Sequence, residues 1–273
     1  MVGKMIKYDF MSFFRLIFPV QIIIIGLAGL NRIVQIFETQ SSTYRTVFVS
    51  SIVLLSVACV VAAVMSYVVA IVRFYQGLYS SEGYLSHSLP LTAAQHITSK
   101  LIVSILFELG TALAIFIAVN IATLGDVGVE LYKAGGYLLK QIYGEVHFNM
   151  VLYILEAIIF VIVALATGLL LMYFCISIGQ LVNRKKILLA FGVLFGIYML
   201  GQIIGTIGII VGPILVQNEA FRAFLQNISD WFELHVTSGV HIIAWIMILL
   251  QAIFGFIYFL ITERIMTKRL NLS

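Results

Sequence analysis

The sequence predicts an all-α membrane protein with six transmembrane helices, and two observations predict it. Hydrophobic residues make up 62% of the 273 residues and charged residues only 10%, whereas soluble domains carry about 25% charged residues. The apolar residues also form continuous runs close to or above the roughly 20 residues that a helix needs to cross the hydrocarbon core. Continuous runs favour helices over the alternating pattern of a membrane β-barrel.

The chain begins with a predicted amphipathic interfacial helix that leads into the first span near Pro19. Apolar side chains recur at helical spacing and form one stripe: Ile6, Phe10, Phe13, Phe14 and Ile17. Lys4, Tyr8 and Arg15 lie opposite this stripe. A helix with these two faces is suited to the boundary between membrane and water.

The six predicted spans form a single transmembrane domain over residues 1–273. In chain order they cover residues 14–30, 47–72, 101–124, 150–178, 187–216 and 241–261. The first span is not predicted to be a cleaved signal peptide, because it has no A-x-A cleavage site. Cys59 and Cys175 both fall inside spans, so we expect neither a disulfide framework nor a metal site.

The distribution of positive charge predicts the orientation. Of the 16 Lys and Arg residues, 11 lie on the side of both termini. The other five are Arg32, Arg45, Lys133, Lys140 and Arg222. The positive-inside rule therefore places both termini in the cytoplasm. On the outer side, residues 126–147 and 217–239 are each long enough for a short helix, and Trp231 and Phe232 suit the second to the outer interface.

The longest predicted cytoplasmic loop interrupts this apolar chain with the polar stretch RFYQGLYSSEGYLSHSLPLTAAQHITSK, residues 73–100. Gly83 breaks a helical pattern, Pro90 stops one, and Thr92 is placed to cap the third span. The pattern predicts a short helix parallel to the membrane, with a shape suited to docking on another protein. The alternative is a solvated connector without further function.

This loop resembles that of ABC-2-type exporter permeases of Gram-positive bacteria. In that family an arginine–aromatic pair ends span two, and an E-G-Y-L-x-x-x-L-P-(L/V) run leads into span three. The opening GKMIKYDF is similar to the family's G-K-L-(L/I)-K-Y-(E/D)-(F/L), and GLNRI after span one also recurs there. The resemblance covers these three places, and beyond Lys100 it extends only to the topology.

The resemblance implies the membrane subunit of an ATP-binding cassette exporter in the bacterial plasma membrane. It implies outward transport of an amphipathic or hydrophobic substrate such as a peptide, a lipid or a drug, and antimicrobial-peptide resistance at the level of the family. It also implies a coupling helix that contacts the ATPase subunit through Glu82, Gly83, Tyr84, Leu85, Ser86, His87, Leu89 and Pro90. In the family the N-terminal helix borders the same subunit.

The implied partners are two copies of an ABC ATPase subunit, a second permease copy or a sister permease, and membrane lipid, with no nucleic acid. The chain has no G-x-x-x-x-G-K-(S/T) motif, so it lacks a phosphate-binding loop of its own. We therefore expect no enzyme activity and no cofactor in this chain. ATP and magnesium would be bound by the partner.

Two acidic residues and a set of glycines stand out inside the spans. Glu108 and Glu156 are costly in the membrane and indicate either a proton or cation site or a hydrogen bond between helices. Four glycines lie within about 60° of one another on the fifth span: Gly201, Gly205, Gly208 and Gly212. Their strip predicts close helix contact, either at a seam between two permease subunits or within one subunit.

Two other classes of function compete with the exporter. A stand-alone secondary transporter would use Glu108 and Glu156, but the halves of the sequence show no internal repeat of the kind common in such proteins. A membrane enzyme is the third class. The sequence has no H-E-x-x-H motif, and no Ser–Lys dyad falls within the spans.

Overall fold

The computed structural model describes residues 2–37, 41–80, 91–124, 126–146, 150–182 and 184–268. Within these ranges the regular structure is helical, and no strand is present. In chain order the helices are α1 (Val2–Ile36), α2 (Ser42–Tyr79), α3 (Ala93–Thr123), α4 (Asp126–Val146), α5 (Met150–Gly179), α6 (Lys186–Val216), α7 (Glu219–Leu234) and α8 (Val236–Lys268).

Six of these helices are long and apolar enough to cross a membrane: α1, α2, α3, α5, α6 and α8. The prediction of an all-α fold with six helices able to span a membrane is therefore confirmed for the described residues. Most helices extend beyond the predicted spans, by 12 residues at the start of α1 and seven at the end of α8. Hydropathy marks only the stretch that suits hydrocarbon, whereas helical hydrogen bonding continues into the polar interface.

The structure has no separate N-terminal helix. Residues 2–36 form one helix that continues through Pro19, although this residue has no N–H to donate to the carbonyl of Arg15. The predicted apolar stripe meets another part of the chain instead of ending at the interface. Phe10 and Phe13 contact the ring of Phe107 on α3, with centroid distances of 5.0 and 5.5 Å.

The first compact unit spans Met1–Glu145 and is built on the contacts of α1, α2 and α3. Its core contains Ile24, Ala28, Leu55, Ala62 and Ala118. The three alanines let the helix backbones approach closely, as small residues do in membrane bundles.

Polar contacts fix the far end of α1 in this unit. The Asn31 amide donates to Ser51 Oγ over 2.7 Å, and the Gln35 amide donates to the Ala122 carbonyl over 2.6 Å. Asn31 itself is 1% exposed. The end of α1 is therefore tied to both α2 and α3.

The second compact unit spans Val146–Ser273, and its main contact is between α5 and α8. Gly255 is required here, because a Cβ at this position would lie 2.8 Å from Thr167 Oγ1. That hydroxyl donates to the Gln251 carbonyl over 3.0 Å. Further along the same pair, the rings of Phe174 and Tyr258 are 5.3 Å apart. Helix α6 contacts α5, and α7 joins α6 to α8.

Candidate functional site

The predicted ATPase-contact residues, Glu82 to Pro90, lie outside the described residues. The structure does describe the helix ends that border this segment. Helix α2 ends at Tyr79, and α3 begins at Ala93 after the predicted cap Thr92. Thr92 Oγ1 accepts from the Gln95 N–H over 3.3 Å, and the Thr92 N–H donates to Gln95 Oε1 over 3.1 Å. This reciprocal capping box fixes where α3 starts.

An ion pair joins α1 to α3 close to that start. Lys100 Nζ lies 3.2 Å from Asp9 Oδ1, and Ser99 Oγ donates to Asp9 Oδ2 over 3.1 Å. The Lys100 and Asp9 side chains are only 6% and 19% exposed. Both carboxylate oxygens are therefore engaged, and the lysine charge is compensated in a nearly buried position. Such pairs are costly to break from one side.

Helix α2 approaches the same lysine through a glycine. A Cβ at Gly77 would lie 2.9 Å from Lys100 Cε and closer still to its Nζ. A larger residue at Gly77 would push the end of the Lys100 side chain away from the position in which it meets Asp9. Asp9, Gly77, Ser99 and Lys100 thus bring three helices together, and we call them the basal cluster.

Sequence reasoning missed the basal cluster. The sequence pattern presents Lys100 only as a loop charge and Asp9 only as part of the opening motif. The two residues are 91 positions apart, so no helical periodicity connects them. The one available signal was Asp9 itself, the only acidic residue before Glu38.

The first predicted intramembrane carboxyl, Glu108, lies on α3 beside Ser66 of α2. The Glu108 carboxyl and the Ser66 hydroxyl lie close enough to interact, although Glu108 Oε1 and Ser66 Oγ, both buried, make no hydrogen bond of good geometry with the described residues. One turn further along α3, the Gln21 amide donates to Thr111 Oγ1 over 3.1 Å. Polar side chains of all three spans in the first unit therefore lie within an otherwise apolar bundle.

The second predicted carboxyl, Glu156, pairs with a histidine that sequence reasoning did not single out. Glu156 Oε2 is 2.7 Å from His241 Nδ1 of α8, and the two side chains are 5% and 14% exposed. The ring of Tyr153 stacks on His241 at 4.2 Å, and its hydroxyl donates to the Thr237 carbonyl over 3.1 Å. Glu156 Oε1 and His241 Nε2 are buried without a partner among the described residues.

The glycine strip of α6 faces open space in the described part of the chain. A Cβ added at Gly201, Gly205, Gly208 or Gly212 would meet no atom within 4 Å outside its own helix. Helix α6 has no buried residue at all among those described. The strip is therefore free of the described chain, and the interpretation as packing within one subunit has no contact to support it.

The described residues include no group of three His, Cys, Asp or Glu side chains that could hold a metal ion. Comparison with protein-family models, with curated proteins and with solved structures finds no match to this chain.

Proposed function

We propose that this chain is the membrane-spanning permease subunit of an ABC exporter, driven by a separate ATPase subunit. The observation that carries the proposal is the basal cluster. Gly77 precedes the segment 81–90 by a few residues, and Ser99 and Lys100 follow it closely. A displacement of this segment would therefore act on α1, α2 and α3 together, which is what a subunit driven from outside the membrane requires.

The ATPase would engage the segment through apolar side chains. Tyr84, Leu85 and Leu89 are the contact residues, and each would contribute about 1.5–3 kcal/mol when buried in a groove of the partner. Glu82 would add only about 0–1 kcal/mol through an exposed ion pair. Two ATPase copies would serve two permease subunits in the plasma membrane, with the start of α1 beside them at the cytoplasmic interface.

The character of α6 supports an amphipathic or hydrophobic substrate. Between Lys186 and Val216 this helix carries no charged residue, and its exposed surface alternates aliphatic side chains with glycines. A sugar or an ion would find few polar partners along it. A peptide, a lipid or a hydrophobic drug would be stabilised there, because its apolar surface leaves water.

The contact with the ATPase is tested by replacing Tyr84 and Leu89 with alanine together. The variant should insert and fold, yet an ATPase that co-purifies with the unsubstituted protein should no longer do so, because the apolar contact is removed. Tyr137→Ala with Leu138→Ala is the matched control, since these side chains of α4 are 70% and 58% exposed. Undiminished ATPase co-purification and coupled hydrolysis in the Tyr84/Leu89 variant would refute the proposed contact.

The glycine strip is proposed as the seam between two permease subunits. Gly205→Leu should weaken subunit pairing at least about tenfold, equivalent to about 1.4 kcal/mol, because the side chain separates the helices. The mass of the detergent-solubilised complex, measured by light scattering, reports pairing. Gly192→Leu is the control, because this glycine also meets open space but belongs to another face of α6. Equal pairing in the two variants would mean that the strip faces lipid.

The second candidate is a stand-alone secondary transporter. One carboxylate oxygen of each residue favours it: Glu108 Oε1 and Glu156 Oε1 are buried and make no hydrogen bond with the described residues, while Glu156 Oε2 contacts His241. Transport assays with the purified chain in proteoliposomes separate the two functions. A secondary transporter would move substrate along a pH gradient without any ATPase, and Glu108→Gln or Glu156→Gln would abolish this transport.

A further inference from the structure

A groove of about 420 Å³ lies between the end of α5 and the last turns of α8, within the second unit. Its lining combines aliphatic side chains with two cations: Leu181, Leu260, Ile261, Ile265, Arg264 and Lys268. None of these residues belongs to the predicted contact with the ATPase or to the glycine strip. We call this feature the α5–α8 groove.

The two cations of the groove share one face of α8. Arg264 and Lys268 are four residues apart, so their side chains stand one above the other. Neither forms an ion pair or a side-chain hydrogen bond with any described residue, and the only ion pairs described lie elsewhere. The groove therefore presents two positive charges without a counter-charge among the described residues.

The order of the groove residues along α8 matches the order of the layers of a membrane. The apolar run of α8 was predicted to end at residue 261, so Leu260 and Ile261 lie at the edge of the hydrocarbon core. Arg264 and Lys268 follow about 4 and 10 Å further along the axis at 1.5 Å per residue. The headgroup region extends about 5–7 Å beyond the core on each side. The aliphatic wall thus lies at the level of acyl chains and Arg264 at the level of lipid phosphates. The backbone of Lys268 lies a few Å beyond the headgroup region, but helical side chains tilt toward the helix N-terminus, so its ammonium group can reach back to the phosphates.

The surrounding charge favours an anion as well. Arg184, Lys185 and Lys186 follow Leu181 along the chain, and Glu263 is the single acidic residue of 260–268. The carboxyl end of α8 carries only about half a negative charge from its dipole. The two groove cations exceed that partial charge several times over.

We propose that the α5–α8 groove is a binding site for an anionic phospholipid. The phosphate would lie between Arg264 and Lys268, and the start of an acyl chain would lie against Leu181, Leu260 and Ile261. Basic pockets at helix ends on the cytoplasmic side recognise such headgroups through charge and hydrogen bonds. The inference does not depend on the proposed exporter function, because it needs only a chain in a membrane.

The site is tested by native mass spectrometry of the delipidated chain in detergent with phosphatidylglycerol, phosphatidylcholine or inorganic phosphate. Phosphatidylglycerol should bind at least about tenfold more tightly than phosphatidylcholine, and inorganic phosphate should not compete at equal concentration. Arg264→Gln with Lys268→Gln should reduce phosphatidylglycerol binding about tenfold. Lys4→Gln with Lys7→Gln removes the same charge from exposed positions of α1 and should leave binding unchanged.

Three outcomes would overturn the proposal. Equal binding of the two lipids would show that no anion is recognised. Equal losses in the groove variant and in the α1 control would show only general attraction to positive charge. Competition by inorganic phosphate would show a phosphate site without a lipid. Lys268→Glu, a single exposed change at the end of α8, repeats the test if the double variant does not fold, and it should weaken binding at least as much.

Discussion

Replacing Lys100 with methionine is expected to destabilise the first unit by about 3–5 kcal/mol, because the Asp9 carboxylate then remains nearly buried without its cation. For a unit of this size the midpoint of thermal unfolding would fall by roughly 10 °C. Cys59 lies in this unit and Cys175 in the other. In a Cys175→Ala background a thiol-reactive dye labels Cys59 alone; since Cys59 is only partly buried, the rise in its labelling rate with temperature reports unfolding of the first unit.

The control for this result is a neutral pair. Asp9→Asn combined with Lys100→Met removes both charges and should recover most of the lost stability, since no uncompensated ion remains. Asp9→Asn alone should be costly, because the Lys100 ammonium is then left without a counter-charge. If Lys100→Met unfolds at the same temperature as the unsubstituted protein, the basal cluster does not hold the three helices together.

Replacing His241 with phenylalanine is expected to destabilise the second unit by about 1–3 kcal/mol. The Glu156 carboxyl would lose its one hydrogen bond while staying buried. Glu156→Gln should cost less than about 1 kcal/mol, because the amide oxygen can still accept from His241 Nδ1. In a Cys59→Ala background, the buried Cys175 thiol reports unfolding of this unit through the same dye reaction.

A double-mutant cycle isolates the pair from the effects of the single changes. Glu156→Leu and His241→Phe, alone and together, should give a coupling free energy of at least about 0.5 kcal/mol, as residues in direct contact do. Strict additivity would mean that the 2.7 Å contact contributes nothing to stability.

The spans were predictable because hydropathy is a local property. Each predicted span lies inside a helix or exceeds it by one residue. Most helices are longer than the predicted spans, because the helix continues past the hydrocarbon core. The cap at Thr92 was predictable for the same reason, since its partner Gln95 is three residues away. The continuity of α1 was not predicted, because Pro19 and the amphipathic pattern together favoured a break.

Contacts between helices were not predictable from one sequence. Glu156 was identified from its cost in the membrane, but its partner His241 depends on how α5 and α8 are rotated about their axes. Asp9 and Lys100 were each visible as charges, yet their pairing depends on how α1 packs against α3, with the Lys100 side chain close to Gly77 of α2. The glycine periodicity of α6 defined a face without showing what lies opposite it. The exporter family remains a prediction, since no compared protein matches the chain.

The single helix α1 is fixed to its neighbours near both ends, with Pro19 between the two points of attachment. Asp9 ties one end to Lys100, and Asn31 ties the other to Ser51. Pro19, where a helical hydrogen bond is missing, lies about 15 Å from the first tie and about 18 Å from the second at 1.5 Å per residue. If α1 turns as a rigid rod about Pro19, a tilt that moves Asp9 by about 2.5 Å carries Asn31 about 3 Å in the opposite direction. Motion applied at one end of the helix would then reach the other end reversed in sense and slightly enlarged.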